Sequence, residues 1–315
     1  MRAVAGFRAR SGPASRLSPR ARWLPWAPAL TLAALLGPVA AGLMGTAAPA
    51  VGWMPALGGR TLTLDPFREL LAWPGLRRAV GLSVGVGFAS TALSLAVVVL
   101  IVAGWRDGRA VGLLERALSP LLAAPHAAAA FGLAFLIAPS GWIARALSPW
   151  ATGWDRPPDL LIVQDPLGLA LTMGLVAKEI PFLLLMTLAA LPQTRAAERM
   201  AVARALGYGP AAGWLKAVFP AVYRQIRLPV YAVLAYSMSV VDVAIILGPS
   251  TPPPLSVQVL RWMNDPDLTL RFRAAAGAML QLALVAGALG AWRLAEIAVA
   301  ALGRRWIARG GRGRG

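Results

Sequence analysis

The chain has 315 residues, of which 58% are hydrophobic and only 14% charged, and its mean hydropathy is +0.64. A soluble fold of this length cannot hide so much apolar surface in one core, whereas a bilayer is itself an apolar solvent, so the composition excludes an ordinary soluble domain and points to an all-α membrane protein. The lack of cysteine excludes disulfides, thiolate metal sites and cysteine nucleophiles, the single histidine excludes a histidine-rich metal centre, and basic residues flanking membrane helices account for the net charge of +18.

Residues 1–22 form a basic leader with Arg2, Arg8, Arg10, Arg16, Arg20 and Arg22. Six apolar stretches follow, at about 24–45, 79–103, 118–138, 168–191, 228–249 and 275–301, each near or above the roughly 20 residues that cross about 30 Å of hydrocarbon. The first is longer than a signal-peptide core and reads as a retained helix. The third contains Pro125 and His126, and proline is tolerated in membrane helices where neighbours satisfy the freed carbonyl. One transmembrane domain, 23–303, therefore lies between the leader and a basic tail, 304–315. No inverted repeat and no pair of broken helices stands out in the sequence. With the N-terminus inside, the inner segments carry twenty Lys and Arg and the outer loops nine, which predicts an N-in, C-in topology. Trp23, Trp26, Trp73, Trp105, Trp150, Trp154, Trp262 and Trp306 fall at or near span ends, as an interfacial belt requires.

The loop 192–228, between the fourth and fifth stretches, is basic and carries two short helical patterns. The composition predicts a helix over about 194–206, a stop at Gly207-Tyr208-Gly209-Pro210, and a second helix over about 211–219 that Pro220 ends. Met200, Ala203 and Leu206 share a side of the first, and Trp214, Leu215, Val218 and Phe219 form an apolar face on the second. A hairpin with such a face must rest on the bilayer surface, on its own bundle or on a partner.

This loop resembles that of type I (MetI-like) permeases of bacterial ABC importers, which follow the pattern E-A-A, three residues, G, nine residues, I-x-L-P. Here Ala201-Val202-Ala203 precedes Gly207 by the same spacing, and Ala217-Val218-Phe219-Pro220 follows at the right distance. Ala201 stands where the pattern has Glu, and Ala217 and Phe219 stand where it has Ile and Leu. The run from Ser237 to Pro249, with Asp242 in it and Pro252, Pro253 and Pro254 beyond, is similar to YnjC-type permeases, a thiamine-related group, as are Ala124-Pro125-His126 and Lys178-Glu179. The similarity runs over roughly 60–300, with a type I core at about 75–303. Members of that group often join two permease halves in one chain, and this chain resembles only the first. The resemblance implies a permease subunit without enzymatic activity of its own. A partner ATPase dimer would bind ATP and Mg and would meet Ala201, Val202, Ala203, Gly207, Trp214, Phe219 and Pro220. It further implies a second permease half, as a homodimer or a paralogous chain, a periplasmic substrate-binding protein that meets the outer loop 248–273, and a location in the bacterial inner membrane. The chain itself has no G-x-x-x-x-G-K-[ST] phosphate loop.

Lys178, Glu179 and Asp242 lie inside predicted spans. A charge at helix centre costs on the order of 2.5–3.5 kcal/mol on insertion scales, so each should face a partner or a water-filled cavity. Neighbouring helical residues point about 100° apart, which suits a Lys178–Asp242 pair with Glu179 facing the pathway. His126 reads first as a hydrogen-bonded packing residue, and Arg293 and Glu296, at i, i+3, as an interfacial ion pair. The same three charges would serve as a proton relay in an ion-coupled secondary transporter, the competing expectation. No Ser/His, paired-Asp or H-E-x-x-H arrangement in the spans supports an intramembrane enzyme.

Overall fold

The computed structural model describes residues 26–104, 116, 118 and 120–310, so the leader 1–22 and the last tail residues lie outside the described residues. Two compact units are present, Met1–Thr46 and Ala47–Gly315. The first is represented by most of helix α1 (Ala27–Ala50), which is apolar throughout. Its two threonines hide their hydroxyls by donating to the carbonyls of Ala27 and Gly42 one turn back, each at 2.9 Å.

The second unit is helical, with no strand among the described residues. In chain order it comprises α2 (Asp65–Leu71), α3 (Leu76–Gly104), α4 (His126–Ile137), α5 (Trp142–Leu147), α6 (Leu169–Gln193), α7 (Ala196–Ala205), α8 (Pro210–Gly213), a π-helical turn (Trp214–Val218), α9 (Phe219–Ser239), α10 (Asp242–Leu247), α11 (Leu255–Met263) and α12 (Leu270–Ala308). Five described segments are long and apolar enough to cross a membrane: Ala27–Ala50, Leu76–Gly104, His126–Leu147, Leu169–Gln193 and Leu270–Ala308. The multi-pass helical character read from the composition is thus present.

Two of the expected spans are broken. A helical stretch closes at residue 123, Pro125 is extended at φ −58° and ψ 147°, and α4 starts afresh at His126. The stretch expected over 228–249 is instead α9, which begins at Phe219, followed by an extended Val240 (φ −60°, ψ 139°) and the short α10. The expectation of no paired broken helices is therefore corrected. The breaks persist because neighbouring side chains satisfy the freed carbonyls, as a low-dielectric surrounding demands. Gln281 Nε2 donates to the Met238 carbonyl at 3.0 Å, and Ser256 Oγ to that of Val240 at 2.8 Å. The last helix overruns 275–301 at both ends: its 39 residues extend roughly 58 Å.

α3 is the central strut, lying against α6 and α9, while α4 and α10 pack on each other and on α6. Glycine makes two of these approaches close. A Cβ at Gly87 would sit 2.3 Å from Met238 Cγ, and one at Gly174 would sit 2.3 Å from Leu247 Cδ1. The first admits α9 to α3; the second seats α10 on α6.

Candidate functional site

Between α6 and α9 the chain forms a closed hairpin. Arg195 adopts a left-handed conformation (φ 50°) and turns the chain out of α6 into α7. α7 ends in a left-handed Gly207 (φ 79°), with Tyr208 N donating to the Ala203 carbonyl at 3.0 Å and Gly207 N to that of Arg204 at 2.9 Å. This is a glycine-terminated helix end, available to glycine without a Cβ penalty. Pro210 opens α8, and Gly213 returns the chain against α7: a Cβ there would lie 3.2 Å from both Ala203 Cβ and Met200 Sδ.

From Trp214 the helix widens into the π turn and continues as α9, with Pro220 in its first turn. Pro220 therefore does not end the second helix, contrary to expectation. It has no N–H to donate, and the wide turn before it accommodates the missing bond. The expected shared faces divide. Ala203, Trp214 and Val218 are buried in the bundle and Met200 packs on it, whereas Val202 and Leu206 are 61% and 59% exposed. Ala201, Gly207 and Pro220 are exposed and Phe219 is half-buried.

The outer surface of the hairpin bears a groove of about 490 Å³, lined among others by Arg199, Val202, Leu206, Tyr208 and Ile307. Ile307 belongs to the far end of α12. The Lys216 ammonium lies 4.2 Å from the Trp306 ring and 5.4 Å from the Tyr208 ring, which joins that end to the hairpin.

The intramembrane charges are arranged differently from the expected pair. Lys178 is buried and donates to the carbonyls of Leu121 and Ala124 at 2.6 and 2.8 Å. It caps the broken span and forms no ion pair with Asp242 among the described residues. The reason is the break, which leaves carbonyls that no helical N–H can reach, and an ammonium satisfies two of them at once. Glu179 is equally buried. It accepts from Ser94 Oγ of α3 at 3.0 Å and from Ser237 Oγ of α9, tying three helices together. His126 and Asp242 are exposed; the His126 ring stands 4.9 Å from that of Tyr236, with Asp242 in electrostatic reach of both.

Spacing alone missed one cluster. Glu296 is far more than the partner of Arg293 at i−3. Its carboxylate, 8% exposed, accepts from Tyr223 at 2.6 Å, Tyr231 at 3.0 Å and Arg293 at 2.8 Å, with Arg227 Nε at 3.3 Å. Trp292 Nε1 donates to the Tyr223 hydroxyl at 2.9 Å. The cluster clamps α9, just beyond the hairpin, to α12. The signal in the sequence was the recurrence of Tyr223, Arg227 and Tyr231 at i, i+4 and i+8, one face of a helix.

Fold and site together define a multi-pass α-helical membrane protein with a structured hairpin between two core helices. No family model matches the chain. It is 31% identical over 228 residues to the inner membrane ABC transporter permease protein YnjC of Escherichia coli strain K12, across 71% of this chain and 42% of that protein. The similarity to such permeases drawn from the motifs is thereby borne out. The chain spans less than half the length of this relative.

Proposed function

We propose that the chain is the membrane-spanning permease subunit of a binding-protein-dependent ABC importer in the bacterial inner membrane, with both termini in the cytoplasm. The observation that carries this reading is the hairpin. It turns at Gly207, is pinned through Gly213, and presents Val202 and Leu206 outward from a frame rooted in the core. The similarity to a protein named as an ABC transporter permease supports it. The chain performs no covalent chemistry in this reading. An ATPase dimer, holding ATP and Mg, presses on the hairpin through Ala201, Val202, Gly207, Phe219 and Pro220, while Ala203 and Trp214, expected among the contacts, are buried and frame the hairpin from within. The motion passes along α9 and α12, which the Glu296 cluster binds together. A second permease half completes the passage, and a periplasmic binding protein delivers the cargo, thiamine or a related small solute.

One observation favours a second reading. Two broken helices that converge near Lys178 and Glu179 are a feature of ion-coupled secondary transporters. Uptake into vesicles separates the two. Uptake that survives collapse of the proton gradient but stops without ATP and the ATPase subunit supports the permease. Uptake that follows the proton gradient without ATP supports the relay of Lys178, Glu179 and Asp242.

A further inference from the structure

α7 turns two faces to two different spaces. Arg199, Val202 and Leu206 line the outer groove, whereas Ala196, Met200 and Arg204, spaced i, i+4 and i+8, line a separate cavity of about 320 Å³. The other walls of that cavity are residues 101–103 at the end of α3, Leu184, Leu188 and Leu191 toward the end of α6, and Trp214 and Val218 of the π turn. It therefore sits where two membrane-crossing helices end and the basic hairpin begins. Its volume is that of a small-ligand pocket, and its lining is apolar apart from one cation, Arg204, with no acidic residue among the described ones.

Two polar groups on these walls are uncommitted. The exposed Arg204 side chain forms no ion pair or hydrogen bond among the described residues. Trp214 is 6% exposed, and its indole N–H is sealed from water without an acceptor in the chain, a cost that a carbonyl reached by a turn of the ring would relieve. An occupant matching these walls has an apolar chain, a carbonyl near its head and a negative charge at the mouth. At the edge of a bilayer that is an anionic phospholipid, whose phosphate is drawn to a cation at headgroup level.

We propose that this cavity binds one anionic phospholipid of the bilayer, an acyl chain lying along Leu188 and Val218 and the phosphate on Arg204, and that its occupancy braces the hairpin against the ends of α3 and α6. The full chain, purified in detergent, is mixed with phosphatidylglycerol or phosphatidylcholine of the same acyl chains, and retained lipid is counted by native mass spectrometry. Phosphatidylglycerol is expected to be held about tenfold more tightly, with Arg204→Gln removing the preference. Ala196→Leu, which fills the cavity, is expected to lose the bound lipid, and Ala103→Leu fills it from the opposite wall should the first variant unfold. Phosphatidylglycerol is further expected to slow proteolysis between α6 and α9 in the parent and not in the filled variant. Equal retention of the two lipids by the parent, or a preference that survives Arg204→Gln, overturns the anionic claim. Retention unchanged in both filled variants places the lipid elsewhere and overturns the site. Displacement by oleate at concentrations equal to those of the phospholipid makes the occupant a free anionic amphiphile and overturns the assignment to the bilayer. Proteolysis indifferent to the lipid overturns the bracing. Thermal unfolding of Arg204→Gln equal to the parent in lipid-free detergent excludes misfolding. None of these readouts requires an ATPase or transport, so they fail separately from the permease reading.

Discussion

The ammonium of Lys178 binds two carbonyls 54 and 57 residues away in sequence, and this decides how a charge survives inside the bundle. Lys178→Met is expected to lower stability in detergent by about 1–2 kcal/mol, toward the upper end for polar contacts between membrane helices, as read by thermal unfolding. Because the bond is to backbone, adding Asp242→Asn should not restore the loss; restoration would show that the two charges pair after all. Glu296 gathers two tyrosines and two arginines, so Glu296→Ala should cost about 1–2 kcal/mol and Tyr223→Phe about 0.6 kcal/mol in the same assay. Equal effects would place the anchoring in Tyr223 rather than in the carboxylate. The sequence announced that Lys178, Glu179 and Asp242 needed partners, because a charge in an apolar run is costly. It did not announce which partners, since those lie on other helices and involve backbone freed only when the spans break.

At the scale of elements, the hairpin was the most legible feature. Gly207 and Pro210 stop a helix for local reasons, and the structure turns there. Pro220 misled because a proline in the first turn of a helix opens it as readily as a proline beyond the last turn closes one. The helix breaks were half legible. Pro125 marks the first, but nothing near Val240 marks the second, which depends on Gln281 and Ser256 capping from distant helices. Two substitutions separate the frame of the hairpin from its outer surface. Gly213→Val inserts side-chain atoms where a Cβ already meets Ala203 and Met200 at 3.2 Å, and should loosen the hairpin, seen as faster proteolysis between α6 and α9. Val202→Glu adds a charge at an exposed position and should leave proteolysis and thermal stability unchanged while weakening attachment of the ATPase. Proteolytic protection equal to the parent in Gly213→Val would show that the close approach of α7 and α8 does not hold the hairpin. A bulky charge at Ala203 is a poorer probe, because that side chain is buried and its loss would disturb the frame as well.

At the scale of the molecule, composition alone gave the membrane and the helical class, and the described spans agree with most of the apolar stretches. The extra length of α12 was hidden because its last turns mix Arg304 and Arg305 with Trp306 and Ile307, a polar pattern that ends an apolar count without ending a helix. Those turns reach the hairpin through Lys216, so the groove on its outer surface is lined by the hairpin and the end of α12 together. The measurement that bears most directly on the permease reading is association of the ATPase subunit with membranes holding the full chain, compared between the parent, Val202→Glu and Leu206→Glu, two exposed positions of the groove, with uptake followed in parallel. Loss of the ATPase and of ATP-driven uptake in both variants, with the chain still folded, is the expected result. Attachment and uptake equal to the parent in both would contradict it and leave the hairpin a connector between α6 and α9.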